Sequence, residues 1–191
     1  RGSGPAHFRG STLGSWLREQ VPGSRSFSVA GKDRAAILMA GAKADGVYWF
    51  EDGVGFTTST AYARQVPAWL ERHDAGLMDR HRHDAFWWEP LGPVPAGRTI
   101  TGKWNVEGRV LTGRLPIQVN GAGMPLDGSF WSRWKDSPYW DEATLEAAEL
   151  LMEAEKLGEG GGTDLLTVGL SSTDYIGHAF GNAGEEMYDQ L

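Results

Sequence analysis

The sequence predicts an α/β fold, and three stretches carry that expectation. Arg25 to Ala30 alternates in the manner of a strand, with Phe27 and Val29 on one face. Asp164 to Leu170 is a nearly continuous apolar run, the pattern of a strand buried on both faces of a sheet. Ahead of it, Ala143 to Leu157 carries Leu145, Ala148, Leu151, Met152 and Leu157 among acidic residues, the texture of an amphipathic helix. Strand signals interleaved with helical ones point to a sheet with helices packed on it.

The remaining elements follow in order. The first ten residues are Gly-rich and read as a loop or frayed end. Thr12 to Val21 has apolar residues at helical spacing, with Ser11 or Thr12 as cap and Pro22-Gly23 as stop. After the strand at Arg25–Ala30, Gly31 opens a loop carrying Lys32, Asp33 and Arg34, followed by the apolar run Ala35 to Ala40. Val47–Phe50 and Gly55–Thr60 flank turn residues Glu51-Asp-Gly53 and predict a β-hairpin. Pro67 suits the first turn of a helix through Trp69, Leu70 and Arg72. From about Gly76 to Ser132 no period persists, and an irregular segment is expected, with short strands around Val110 and Ile117. Trp87, Trp88, Trp104, Trp131 and Trp134 argue that it is packed rather than disordered. Asp136-Ser-Pro138 starts the amphipathic helix, Gly158 and Gly160-Gly-Gly162 end it, and Gly184 to Leu191 reads as a short last helix.

Composition narrows the chemistry. At 191 residues the chain has room for one sizeable domain or a large piece of a bigger one. A net charge of −7 argues against nucleic acid as the main partner, because binding a phosphate backbone needs clustered Lys and Arg. A small phosphorylated substrate, held by a few placed cations, remains compatible. Cysteine is absent, so disulfides, thiolate zinc sites and cysteine nucleophiles are excluded within these residues, and a transition-metal site must use His, Asp and Glu. No stretch approaches the roughly 20 apolar residues of a membrane span.

Two short motifs concentrate the remaining chemistry. Asp174 and His178 lie four apart just beyond the second strand, and a helical turn there would bring both to one metal ion. Gly177 and Gly181 would let the backbone pass close to such a site. Taken alone an Asp-x-x-x-His pair is a weak signal, and it more often marks a histidine capping a helix beside a solvated aspartate. Lys32 and Arg34 follow the first strand, and on an extended loop would point to the same side, suiting phosphoryl oxygens. A solvated loop is the alternative. His81 and His83, with Asp79 and Asp84, form a further His/Asp cluster that reads as solvated loop. Ser171, Ser172 and Thr173 sit near the Asp174 motif without a reading as nucleophile.

The stretches Ser28-Val-Ala-Gly-Lys-Asp-Arg-Ala-Ala-Ile-Leu38, Gly46–Phe50, Phe56–Thr60 and Leu170–Gly181 resemble the type I phosphodiesterase/nucleotide pyrophosphatase branch of the alkaline phosphatase superfamily. More narrowly, they resemble bacterial phosphomonoesterases with a Lys-Asp-Arg loop. The resemblance implies part of an alkaline-phosphatase-like α/β/α sandwich over residues 1–191, with about 76–132 as an irregular Trp/Gly-rich insertion or cap. It implies that Asp174 and His178 are ligands of one of two zinc ions, and that Lys32 and Arg34 contact the substrate's phosphoryl group with monoester preference. It implies in-line displacement through a phospho-enzyme, and a periplasmic or secreted location. Asn182 stands where the family usually has Pro, and Gly184 where it usually has Ser, which bears on loop geometry alone.

The family's nucleophile, first metal-binding Asp, phosphate-contacting Asn and a later Asp-His pair and His have no counterparts within these residues. The expectation is therefore an incomplete portion of a zinc-dependent phosphomonoesterase, inactive alone. Two alternatives stand beside it. One is a portion of a phosphodiesterase or nucleotide pyrophosphatase. The other is a non-catalytic interaction domain presenting the aromatic segment from Phe86 to Trp140.

Overall fold

The computed structural model describes residues 2–93, 103–106, 109–112 and 115–191, with 103–106 and 109–112 described at the level of the backbone. The chain divides into two compact units, Arg1–Leu77 with Glu142–Leu170, and Met78–Asp141 with Ser171–Leu191.

The first unit is built on a four-stranded sheet. Its helices and strands are α1 (Leu13–Gln20), β1 (Arg25–Ala30), α2 (Asp33–Ala40), β2 (Gly46–Glu51), β3 (Gly55–Thr57), the first part of α3 (Ala68–Arg82) and most of α5 (Tyr139–Glu155), then β8 (Asp164–Gly169). The strand order is β3-β2-β1-β8. β1 runs parallel to both β2 and β8, and β3 folds back antiparallel on β2 as the hairpin predicted from Glu51-Asp-Gly53. Thr12 caps α1, its Oγ1 accepting from Ser15 N–H at 3.2 Å.

Alternation along β2 separates two faces. Ala30, Val47 and Trp49 meet Ala36, Ile37 and Ala40 of α2 in one buried cluster. On the other face Tyr48 meets the α3 residue Trp69 edge-on at 5.6 Å, and Phe56 meets His73 at 5.6 Å. Helices thus cover both sides of the sheet, which makes the α/β/α layering expected from the sequence.

Two expectations are corrected here. β8 is half-buried along its whole length rather than buried on both faces, and among the described residues its one strand neighbour is β1. The loop expected at Lys32-Asp33-Arg34 is instead the start of α2: Lys32 is the N-cap and helix begins at Asp33. Asp33 supplies the first-turn acid that favours a helix start.

The second unit holds β4 (Phe86–Trp88), β5 (Lys103–Val106), β6 (Arg109–Thr112), β7 (Ile117–Asn120), α4 (Gly128–Lys135), α6 (Ser172–Phe180) and α7 (Glu185–Gln190), with the end of α3 and the start of α5. β4 pairs antiparallel with β7, and β5 with β6. The strands near Val110 and Ile117 are where the sequence placed them; α4 is an addition. Asp127 starts α4 by accepting from Ser129 and Phe130 N–H at 2.9 and 3.1 Å. Phe130, Trp131 and Trp134 are then buried, stacked edge to face at 4.7 and 5.4 Å. Trp88 is buried too and donates to Asp189 Oδ2 at 2.7 Å, whereas Trp87 is exposed. The side chain of Trp104 lies outside the described residues.

Candidate functional site

Lys32 and Arg34 begin α2 directly after β1. Gly31 N–H still donates to Gly169 O at 3.1 Å, so the β1–β8 ladder holds the backbone up to the residue before Lys32. Lys32 is extended (φ −108°, ψ 137°) and half-buried, while Arg34 lies in the first helical turn and is exposed. Asp33 turns inward on its own turn: Oδ1 accepts from Arg34 N–H at 2.6 Å and Oδ2 from Ser3 Oγ at 2.6 Å. The two cations therefore stand at a helix N-terminus, where peptide dipoles already favour an anion. For helix stability alone that is the wrong end for positive charge. Lys32, as N-cap, makes no side-chain capping bond.

Asp174 and His178 lie in the second unit, in the first and last turns of α6. One helical turn brings Asp174 Oδ1 to 3.4 Å from His178 Nε2, with side chains 56% and 82% exposed. Two donors on one tetrahedral zinc ion, at about 2.0–2.1 Å from the metal, lie roughly 3.4 Å apart. The donor set and its spacing therefore fit zinc, and the exposure leaves room for further ligands. The same separation serves an ion pair when the imidazole is protonated. Among the described residues no group of three or more His, Asp or Glu side chains is arranged to hold a metal ion.

The start of α6 is held by a residue that the sequence did not single out. Asp141, buried in the first turn of α5, accepts from Ser171 and Ser172 N–H at 2.6 and 2.9 Å. Its partners lie thirty residues downstream, so no local motif announces it.

The His81 cluster is also corrected. Asp79 and His81 lie in α3 rather than a solvated loop. His81 is buried between Phe86 and Phe130, and its Nε2 accepts from Trp134 Nε1 at 3.2 Å. That nitrogen is engaged in the core. In the first unit His73, also unforeseen, is buried with Nδ1 at 3.2 Å from Asp74 Oδ1 and Nε2 at 3.4 Å from Glu146 Oε2.

Among the described residues no helix is long and apolar enough to cross a membrane. No family model matches the chain. The chain is 35% identical over 167 residues to alkaline phosphatase PhoV of Synechococcus elongatus, covering 87% of this chain and 30% of that protein. It is 32% identical over 193 residues to alkaline phosphatase PhoK of a Sphingomonas species, covering 98% and 31%. Among solved structures, wild-type alkaline phosphatase PafA superposes with a TM-score of 0.66 at 29% identity, over 88% of this chain and 32% of PafA. The chain thus spans about a third of the length of the relatives it matches.

Proposed function

Because the chain belongs to the alkaline phosphatase superfamily, we propose that its residues form part of a two-zinc phosphomonoesterase. The observation that carries this reading is the Asp174–His178 pair, which follows the parallel strand β8 in the chain and whose 3.4 Å separation suits two ligands of one zinc ion. Zinc bound there would offset negative charge on the oxygens of an in-line phosphoryl transfer.

Lys32 and Arg34 would take the phosphoryl oxygens, Lys as a point charge and Arg as a two-pronged donor. Their place at the N-terminus of α2 supports this, since cations there gain nothing for the helix and act with its dipole on an anion. One solved PafA variant carries a Thr-to-Ser change with Asn, Lys and Arg changed to Ala; its Lys and Arg stand two positions apart, the spacing of Lys32 and Arg34. A monoester presents three terminal oxygens and two negative charges, which suits two cations better than a diester does.

The substrate is accordingly a small phosphorylated molecule. The 191 residues alone contribute two metal donors, short of the three or four that zinc sites use, and are expected to show no turnover.

The test is zinc-dependent hydrolysis of p-nitrophenyl phosphate beside the bis(p-nitrophenyl) diester, in a protein of the relatives' length that carries these residues. Monoester turnover that disappears in His178→Ala is expected. Turnover by the 191 residues alone, or a diester preference, would overturn the proposal.

A further inference from the structure

A serine at the N-cap with an acid at the third helical position ordinarily forms a capping box, in which the acid reaches back to the cap residue's N–H. Ser171 and Asp174 of α6 have that spacing. The structure does something else. Ser171 makes no side-chain capping bond, and its N–H donates to Asp141 Oδ1 at 2.6 Å. The same oxygen accepts from Ser172 N–H at 2.9 Å, Asp141 Oδ2 accepts from Gln190 Nε2 at 3.2 Å, and Asp141 N–H donates to Ser172 Oγ at 3.1 Å. With the cap supplied from α5, Asp174 instead faces along α6, 3.4 Å from His178.

We infer that Asp141 is a positioning residue for the metal pair: by occupying the amides at the start of α6 it keeps Asp174 turned toward His178. The inference rests on the reading of Asp174 and His178 as metal ligands. A second contact fastens the same two turns, since Trp140 meets Tyr175 edge-on at 5.0 Å and Lys135 Nζ stands 5.9 Å from each ring. Asp141 is 5% exposed, so its carboxylate is committed to these partners rather than to solvent. Replacing it opens the Ser171 amide to Asp174, and the ligand turns away from the imidazole. Residues that orient metal ligands in this way typically change affinity about 10–100-fold.

The test titrates zinc into the 191-residue chain and follows the imidazole resonances of His178 by NMR, with circular dichroism to confirm folding. The proteins are wild type, Asp141→Ala, Asp141→Asn, Ser172→Ala and Asp174→Ala. A zinc affinity roughly 10–100-fold weaker in Asp141→Ala, with Asp141→Asn between it and wild type, is expected. Should Asp141→Ala not fold, Asp141→Asn and Ser172→Ala carry the same comparison. A merely structural cap would lower the melting temperature and leave the zinc affinity of the folded variants at the wild-type value, which overturns the inference. If Asp174→Ala binds zinc as wild type does, the metal reading itself fails; if it alone loses zinc, only the positioning role fails.

Discussion

His83 Nε2 lies 3.6 Å from Asp79 Oδ1, nearly the separation that His178 keeps from Asp174. Both pairs span four residues, both are exposed, and both pair an aspartate with a histidine one turn later. Helical spacing alone therefore produces this geometry wherever the residues occur. What sets Asp174 apart is its place after a parallel strand, where α/β folds put their ligands.

Zinc should discriminate between the two pairs. Titrated into the chain, it is expected to shift the resonances of His178 and leave those of His83 unmoved. Asp79→Ala should retain zinc binding and Asp174→Ala should abolish it. Equal zinc response at the two histidines would make the Asp174 pair one more surface ion pair.

Lys32 and Arg34 should separate stability from activity. Arg34 is exposed and opposes the dipole of α2, so Arg34→Ala is expected to leave stability unchanged or raise it by roughly 0.3–1 kcal/mol. In a protein of the relatives' length, Lys32→Ala and Arg34→Ala should each lower monoester kcat/KM by about 10²–10³-fold, and diester hydrolysis much less. Denaturant unfolding and paired substrate assays measure the two effects. A loss of stability would mean that the cations serve the fold.

Two carboxylates should pull the pH dependence of stability in opposite directions. Hydrogen bonds from Arg25, at 2.9 and 2.8 Å, hold the Asp164 carboxyl below the usual range. Its contribution is complete above the unfolded value of about 3.9 and disappears as pH falls through the depressed folded value. Burial pushes the Glu186 carboxyl up, and Oε1 has no hydrogen-bond partner. Its contribution is complete below the unfolded value of about 4.3 and is lost as pH rises through the folded value. Glu186→Gln should therefore raise the melting temperature at neutral pH, with the gain shrinking toward pH 4. Asp164→Asn should lower it at neutral pH and flatten the acid limb. Thermal unfolding over a pH series tests both signs.

Gly169 closes β8 where it meets β1. A Cβ there would stand 2.8 Å from Ala30 Cβ and 2.9 Å from Met39 Cε. Met39 Cε ends a flexible side chain, whereas Ala30 Cβ is fixed to the strand backbone. Gly169→Ala is expected to cost about 1–3 kcal/mol in chemical denaturation. A neutral result would show that the end of β8 is free to shift.

Much of the first unit was legible because its signals are local. β1 coincides with the alternating run Arg25–Ala30, the hairpin with its turn residues, and α1 with the Thr12 cap. Lys32-Asp33-Arg34 misled because charged residues after Gly31 resemble a loop, although Asp33 is itself a helix-start signal. In the second unit, α4 has three bulky aromatics in eight residues, and that density hides the helical period; Asp127 as N-cap was its readable mark. The pairing of Asp174 with His178 was legible, since one helical turn sets their distance. Asp141 was not, because its role comes from a contact between helices thirty residues apart.

Arg25 and Asp164 are register partners at the first residues of β1 and β8, and the guanidinium also donates to Glu155 O at 2.9 Å. This buckle sits at the opposite end of the two strands from Gly31 and Gly169, after which the chain runs on toward Lys32 and Asp174. Strands cinched at their origins leave their far ends open to change. On the proposed reading, changes around Lys32 and Arg34 alter substrate preference without unlacing the sheet beneath, and an engineer seeking heat tolerance has the buckle end to work on.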